Sequence, residues 1–273
     1  MRDTASSVTW LFVPGDRPDR FAKAAAAGAD QVIIDLEDAI SPHAKDQARQ
    51  AAAHWLTAGG QCWVRVNAPG TPWHDDDLST LGGLPALRGI VVPKAEDASD
   101  LIELAARLAP GTDLIALVES ARGILNAAAL TNCEAVARLA FGAIDFALDI
   151  DADDTDDALL LARGTLVLAS RAAGKPAPID SVTTNLAPPA AAADARRARA
   201  LGFGGKLLIH PAQVREAQEA FRPTDAQAEW ARGVLDTAGQ ASNGAVGKDG
   251  HMLDRPVIDR ARRIIDRTSG THR

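Results

Sequence analysis

QVIIDLEDAISPHAKDQARQAAAHWLTAGGQCWVRVN, residues 31–67, reads as one strand, one helix and a second strand. Its ends, QVIIDL 31–36 and CWVRVN 62–67, are short and rich in branched aliphatic residues. HAKDQARQAAAHWL 43–56 between them has helical periodicity and good helix formers, and Gly59 stands where a helix-to-strand turn needs a conformation other residues resist. The same rhythm runs outward in both directions. Candidate strands are TWLFV 9–13, GIVVPK 89–94, DLIALVE 113–119, ARLAFG 137–142, APIDSV 177–182 and GKLLIH 205–210. Helical patterns fall at 18–29, 97–109 and 189–202, with Gly28, Gly111 and Gly202 at their ends. Eight strands alternating with helices in about 250 residues is the size of a closed (β/α)₈ TIM barrel. An open nucleotide-binding sheet would place a glycine-rich phosphate loop after its first strand, and FVPGDRPDR 12–20 is neither a dinucleotide fingerprint nor a P-loop.

The barrel domain is expected over residues 1–222 and a C-terminal helical extension over 223–273. The extension reads as a helix at 224–239, a flexible loop at 240–250 and an amphipathic helix at 254–267. Such a segment is unnecessary for closing a barrel, so it either caps its own subunit or packs on a neighbour.

Composition narrows the class. Apolar residues make up 47% and charged residues 24% of the 273-residue chain, the balance of an ordinary globule. The formal charge is −7 with basic residues scattered, which gives no support to a nucleic-acid partner. Cys62 and Cys133 are too few for a disulfide framework and are expected as buried thiols. No apolar run is long enough to span a membrane, and the first ten residues have no leader-like apolar core, so a cytoplasmic enzyme is expected.

Carboxylates stand where the candidate strands end: Asp35, Glu37 and Asp38 after QVII, Glu119 after DLIALV, Asp145 after LAFGAI. Parallel barrel strands bring such ends to one rim. Buried carboxylates need cations or several donors, and Glu119 with Asp145 offers the oxygen chemistry suited to Mg²⁺. Arg65 could grip a substrate carboxylate with two hydrogen bonds or pair with Asp35 or Glu37, and the two roles can coexist. Lys94 is open to a carboxylate, a phosphate or a salt bridge. His210, before Pro211, reads as a rim hydrogen-bonding residue rather than a zinc ligand. Gly15 and the helix start at Pro18 place free N–H groups near Arg17 and Arg20, where anions are favoured.

Six strings in this order, LFVPGDRPDRFAKAAAAGADQVIIDLEDAI 11–40, VRVN 64–67, VVPKAED 91–97, ALVESARGILN 116–126, FGAIDFALDI 141–150 and GFGGKLLIHPAQV 202–214, resemble the citrate lyase β-subunit-like branch of the HpcH/HpaI aldolase family. The resemblance implies a Mg²⁺-dependent carbon–carbon lyase acting on 3-hydroxyacyl thioesters such as citryl-CoA or malyl-CoA, with coenzyme A entering as part of the substrate. It implies Glu119 and Asp145 as metal ligands, Arg65 as the oxo-acid clamp, and Glu37 and Asp38 as residues that support Arg65 and water at the metal. Leu11, Pro14, Arg20, Lys206, His210 and Pro211 fall where relatives hold the thioester's pantetheine and nucleotide arm. HMLDRPVIDRARRII 251–265 resembles the family's closing segment, which implies Asp254 as an acid/base reaching a neighbour's pocket in a homotrimer or hexamer. The same resemblance leaves open a malyl-thioester synthase or hydrolase, a thioester-independent oxo-acid aldolase, and a lyase-complex subunit served by an acyl-carrier partner.

Overall fold

A computed structural model describes residues 3–240, 246–248 and 251–268. Eight parallel strands close a barrel in chain order: β1 Thr9–Pro14, β2 Gln31–Asp35, β3 Cys62–Arg65, β4 Leu87–Val92, β5 Asp113–Val118, β6 Val136–Phe141, β7 Ile179–Asp180 and β8 Gly205–Leu208, with β8 pairing back to β1. The expected (β/α)₈ TIM barrel is the observed one. β7 is only two residues long, where six were expected, and Pro178 at its start has no N–H to give to a ladder. The expected helices at 43–56, 97–109 and 189–202 are Lys45–Thr57, Ala98–Ala105 and Ala190–Leu201. Gly202 ends the last of these at φ +106°, a backbone state in which a side chain would be strained.

One buried cluster fills the barrel: Trp10, Ile33, Trp63, Val91, Ile115, Leu117, Ala140, Ile179 and Leu207, drawn from all eight strands. Trp10 and Trp63 meet edge to face at 5.2 Å, and Trp63 is accommodated because its neighbour on β4 is Gly89. A Cβ at Gly89 would lie 2.3 Å from Trp63 Cζ3 and 2.4 Å from the Asp113 carbonyl oxygen. Arg138 lies at the end of the barrel where the strands begin. Its guanidinium donates to the carbonyls of Ser7 (2.6 Å), Ala177 (2.6 Å) and Thr4 (3.2 Å), and burial lowers its pKa to about 9. These bonds tie the segments leading into β1 and β7 to β6, leaving the opposite rim for chemistry.

The chain divides into two units, Met1–Gln218 and Glu219–Arg273. Within the second, helices Asp225–Gln240 and Arg255–Thr268 share a small core of Ala231, Val234 and Ala261, flanked by Leu235, Val257, Ile258, Ile264 and Ile265. The stretch 240–250, read as a loop, contains strand β9, Val246–Lys248, which pairs antiparallel with β10, His251–Leu253. The remainder of that expected loop, 241–245 and 249–250, lies outside the described residues. Among the described residues no helix is long and apolar enough to cross a membrane.

Overpacking a filled core typically costs about 1–3 kcal/mol, so Gly89→Ala should lower unfolding free energy by roughly that amount in a urea titration. Gly83→Ala, with nothing within 4 Å of its Cβ, should stay within about 0.5 kcal/mol of the parent.

Candidate active site

The carboxyl ends of the strands form one rim, and its most constrained group is the pair Asp35–Arg65. Arg65 Nε and Nη2 donate to the two oxygens of Asp35 at 2.6 and 2.7 Å, while the N–H groups of Glu37 and Ala39 donate to the same carboxylate. Burial opposes ionisation of Asp35, but Arg65 and these amides outweigh it and hold the carboxyl below its usual range. Burial likewise opposes the Arg65 charge, and Asp35, Glu37 and Asp38 more than offset it. The bidentate fork offered to a substrate is therefore occupied by Asp35. What Arg65 turns toward the rim is Nη1, 3.1 Å from Glu37 Oε2 and 3.3 Å from Asp38 Oδ2.

Glu37 is buried and bridges Arg65 to Lys94, whose Nζ is 3.1 Å from Glu37 Oε1. Of the roles open to Lys94, the salt bridge is the one observed. Its backbone has φ +48°, an uncommon conformation for a residue with a side chain, and its N–H donates to Glu119 Oε1 at 2.8 Å. Beneath Glu37, Lys45 Nζ donates to the carbonyls of Leu36 and Glu37, both at 2.8 Å, fixing the turn that carries the acidic residues.

Glu119, immediately after β5, is buried, and its Oε2 has no hydrogen-bond partner. Burial, reinforced by the charges of Glu37 and Asp145 and opposed by the Lys94 N–H and Arg65, pushes its carboxyl up to about 8. Oε2 faces Gly142, where a Cβ would stand only 2.4 Å away. Asp145 follows three residues later, in the first turn of helix Ala143–Asp149 rather than at the strand end. It makes no hydrogen bond or ion pair among the described residues. Asp145 thus adds its charge on the same part of the rim as Glu119, whose Oε2 is unpartnered. Among the described residues no group of three or more His, Cys, Asp or Glu converges to hold a metal. Mg²⁺ commonly takes one or two protein carboxylates and completes its shell with waters and substrate oxygens, so this pair suits it.

The other expected contacts divide by face. Pro14, Arg20, His210 and Pro211 lie at or beyond strand ends on this rim, with Arg20 and His210 exposed. Leu11 and Lys206 do not belong with them. Both are almost fully buried and alternate with the barrel-lining Trp10 and Leu207, so they face the helix layer. Lys206 Nζ donates to the Ser181 carbonyl at 2.6 Å and lies 3.6 Å from Asp180, which also pairs with Arg163. It is a structural cation, and its role as a contact for the thioester arm is withdrawn, as is that of the Leu11 side chain. Asn67 is engaged as well: its N–H and Nδ2 donate to Asp77 on helix His74–Leu81, which pairs with Arg49, and this pins the segment between Asn67 and that helix.

In the second unit, Asp254 caps helix Arg255–Thr268: its Oδ1 accepts the Val257 N–H at 3.2 Å. Aspartate before a helix with proline in its first turn was a legible sign of this cap. Gly142, Lys45 and Ser181 were not singled out from sequence.

The family described as HpcH/HpaI aldolase/citrate lyase matches residues 9–211. A citrate lyase subunit beta-like protein of Deinococcus radiodurans is 40% identical over 93% of this chain and 95% of its own length. Protein CitE of Mycobacterium tuberculosis, solved with magnesium, acetoacetate and coenzyme A, superposes with a TM-score of 0.87 at 36% identity, covering 97% of this chain and 99% of that one. A citrate lyase beta subunit from the same organism, complexed with oxaloacetate and magnesium, gives 0.71 at 37% identity over 80% and 98%. With a family match over residues 9–211 and relatives aligned over nearly its whole length, this chain belongs to the HpcH/HpaI aldolase/citrate lyase family.

Proposed function

We propose that the protein is a Mg²⁺-dependent carbon–carbon lyase that cleaves or forms a 3-hydroxyacyl thioester, with coenzyme A carried by the substrate. The observation that carries this reading is Glu119, a buried carboxylate with an unpartnered oxygen aimed at the start of the helix bearing Asp145. Desolvating such a group is costly unless a proton or a cation joins it. Glu119 and Asp145 would hold the ion, which when bound supplies a Lewis acid for the oxo-acid carbonyl and charge compensation at the rim.

The chain's own groups divide the remaining work. Asp35 fixes the plane of the Arg65 guanidinium, so that Nη1 stays directed to the rim beside Glu37 and Asp38. From there Arg65 would steady a substrate oxygen with the N–H groups that its pairing with Asp35 leaves over. Lys94, half exposed and already paired with Glu37, supplies further positive charge where an acidic substrate enters. Pro14, Arg20, His210 and Pro211 would flank the thioester arm.

Asp254 would exchange the proton of the thioester α-carbon. The cap leaves its Oδ2 without a hydrogen bond among the described residues, free to take a proton. We read its pocket as a neighbour's, in a homotrimer or a hexamer of trimers. An oligomer is supported by the unusually exposed leucines of helices Ala121–Leu125, Ala143–Asp149 and Asp156–Ala172, with Leu125, Leu148 and Leu161 each more than 80% exposed in one chain. An acyl-carrier partner in place of free coenzyme A and a cytoplasmic location remain proposals of the same reading.

Acetyl- or propionyl-CoA incubated with glyoxylate, oxaloacetate or pyruvate should condense only with Mg²⁺ present. Turnover on free oxo acids without a thioester would overturn the substrate class. Glu119→Ala and Asp145→Ala should each lower Mg²⁺-dependent turnover by on the order of 10²–10³-fold or more with the fold retained by circular dichroism. Asp254→Asn should bind Mg²⁺ as the parent does while slowing exchange of thioester α-protons into heavy water by roughly 10²–10⁴-fold; undiminished exchange would remove its acid/base role.

A further inference from the structure

The helix Ala143–Asp149 carries Asp145 and is poorly equipped to hold it still. It has seven residues, a length that is marginal without outside support, and Ile144 and Leu148 on it are exposed in the single chain. Its N-cap position is Gly142, which has no side chain to accept a helix N–H. No capping residue can replace that glycine without a shift of the chain, because a Cβ there would stand 2.6 Å from Glu119 Cβ as well as 2.4 Å from its Oε2. Close approach of Glu119 to this helix has removed the helix's own means of capping.

Two side chains from elsewhere make good the loss. Ser181, buried just after β7, accepts the Ala143 N–H on its Oγ at 3.0 Å and so satisfies one of the first-turn donors that the helix leaves without an internal partner. Its carbonyl is held from behind by Lys206, the buried cation excluded above from the thioester contacts. At the other end, Asp149 Oδ2 accepts the Ala121 N–H at 2.7 Å, two residues beyond Glu119. The helix is therefore tied at one end to β7 and at the other to the segment that bears Glu119.

We propose that Ser181 and Asp149 are positioning residues that clamp helix Ala143–Asp149 at its two ends and so set the spacing of Asp145 from Glu119. The proposal rests on the reading of that pair as the cation site. Neither residue touches the ion or the substrate. Their effect is on how much the site must reorganise to bind metal, as with outer hydrogen bonds that orient metal ligands elsewhere, where loss costs about 10–100-fold in affinity.

The test is calorimetric titration of the full-length, metal-stripped protein with MgCl₂, checked by Mn²⁺ electron paramagnetic resonance. Ser181→Ala and Asp149→Ala should each weaken Mg²⁺ by about 10-fold and the double variant by more, with turnover restored at high Mg²⁺ and thioester KM unchanged there. Asp149→Asn, which keeps an acceptor oxygen but not the charge, should bind as the parent does. Asp149 is exposed, so its variants test the clamp even if Ser181→Ala folds poorly. Parental Mg²⁺ affinity in the double variant, or in Asp149→Ala alone where the double does not fold, would overturn the clamp, provided Asp145→Ala and Glu119→Ala lose the ion. Parental affinity in those two as well would overturn the metal site itself.

Discussion

Like charge crowded onto one partly buried rim is the constraint from which the rest of this molecule follows. Asp35, Glu37, Asp38, Glu119 and Asp145 crowd one rim with Arg65, Lys94 and Lys45, and the carboxylates outnumber the cations. Asp35 settles its charge on Arg65 and two amides, and Glu37 shares what Arg65 and Lys94 have left. Glu119 is last in this sequence of claims, with a single backbone N–H for one oxygen and nothing for the other. Its elevated pKa expresses that deficit, and a divalent ion is the group of the right charge and oxygen preference to remove it.

Several features around the charges maintain this arrangement. Lys94 takes a strained backbone conformation, and in return its N–H reaches Glu119. Gly142 gives up helix capping so that the Glu119 carboxylate can lie against the chain. Lys45 spends its charge on two carbonyls below Glu37. At the other end of the barrel, Arg138 does comparable work for the strands' beginnings with carbonyl partners alone. The rim is pre-organised by hydrogen bonds that never meet a substrate, which is the condition for electrostatic stabilisation without reorganisation.

The sequence carried the barrel clearly because each strand is a short aliphatic run and each helix a longer alanine-rich one. It carried the acidic rim because charge at the end of an apolar run has few cheap explanations. It did not carry strand parity. TWLFVP and GKLL are buried on both faces, so alternation of polar and apolar residues cannot say which side lines the barrel or that Leu11 and Lys206 face the helix layer. In LAFGAID the apolar residues run on past the strand, hiding that Gly142 is where strand becomes helix and that Asp145 belongs to the helix. Arg65 was open to two roles, and only coordinates could show that Asp35 takes both prongs of its fork.

That occupied fork alters how selectivity at this rim can work. A guanidinium free to grip a carboxylate at two points would select the substrate's acid group by planar fit. With Asp35 on its Nε and Nη2, Arg65 is oriented by the folded chain and turns Nη1 to the rim beside Glu37, Asp38 and Lys94. Segment 67–77, which runs into helix His74–Leu81, is held by Asp77, buried between Asn67 and Arg49, so its shape is fixed by pairing within the folded chain. The energetic burden of orienting Arg65 falls on the folded chain before any substrate arrives. A site built in this way trades adaptability in what it binds for precision in where the bound oxygen sits, and carbon–carbon cleavage beside a developing enolate depends on the latter.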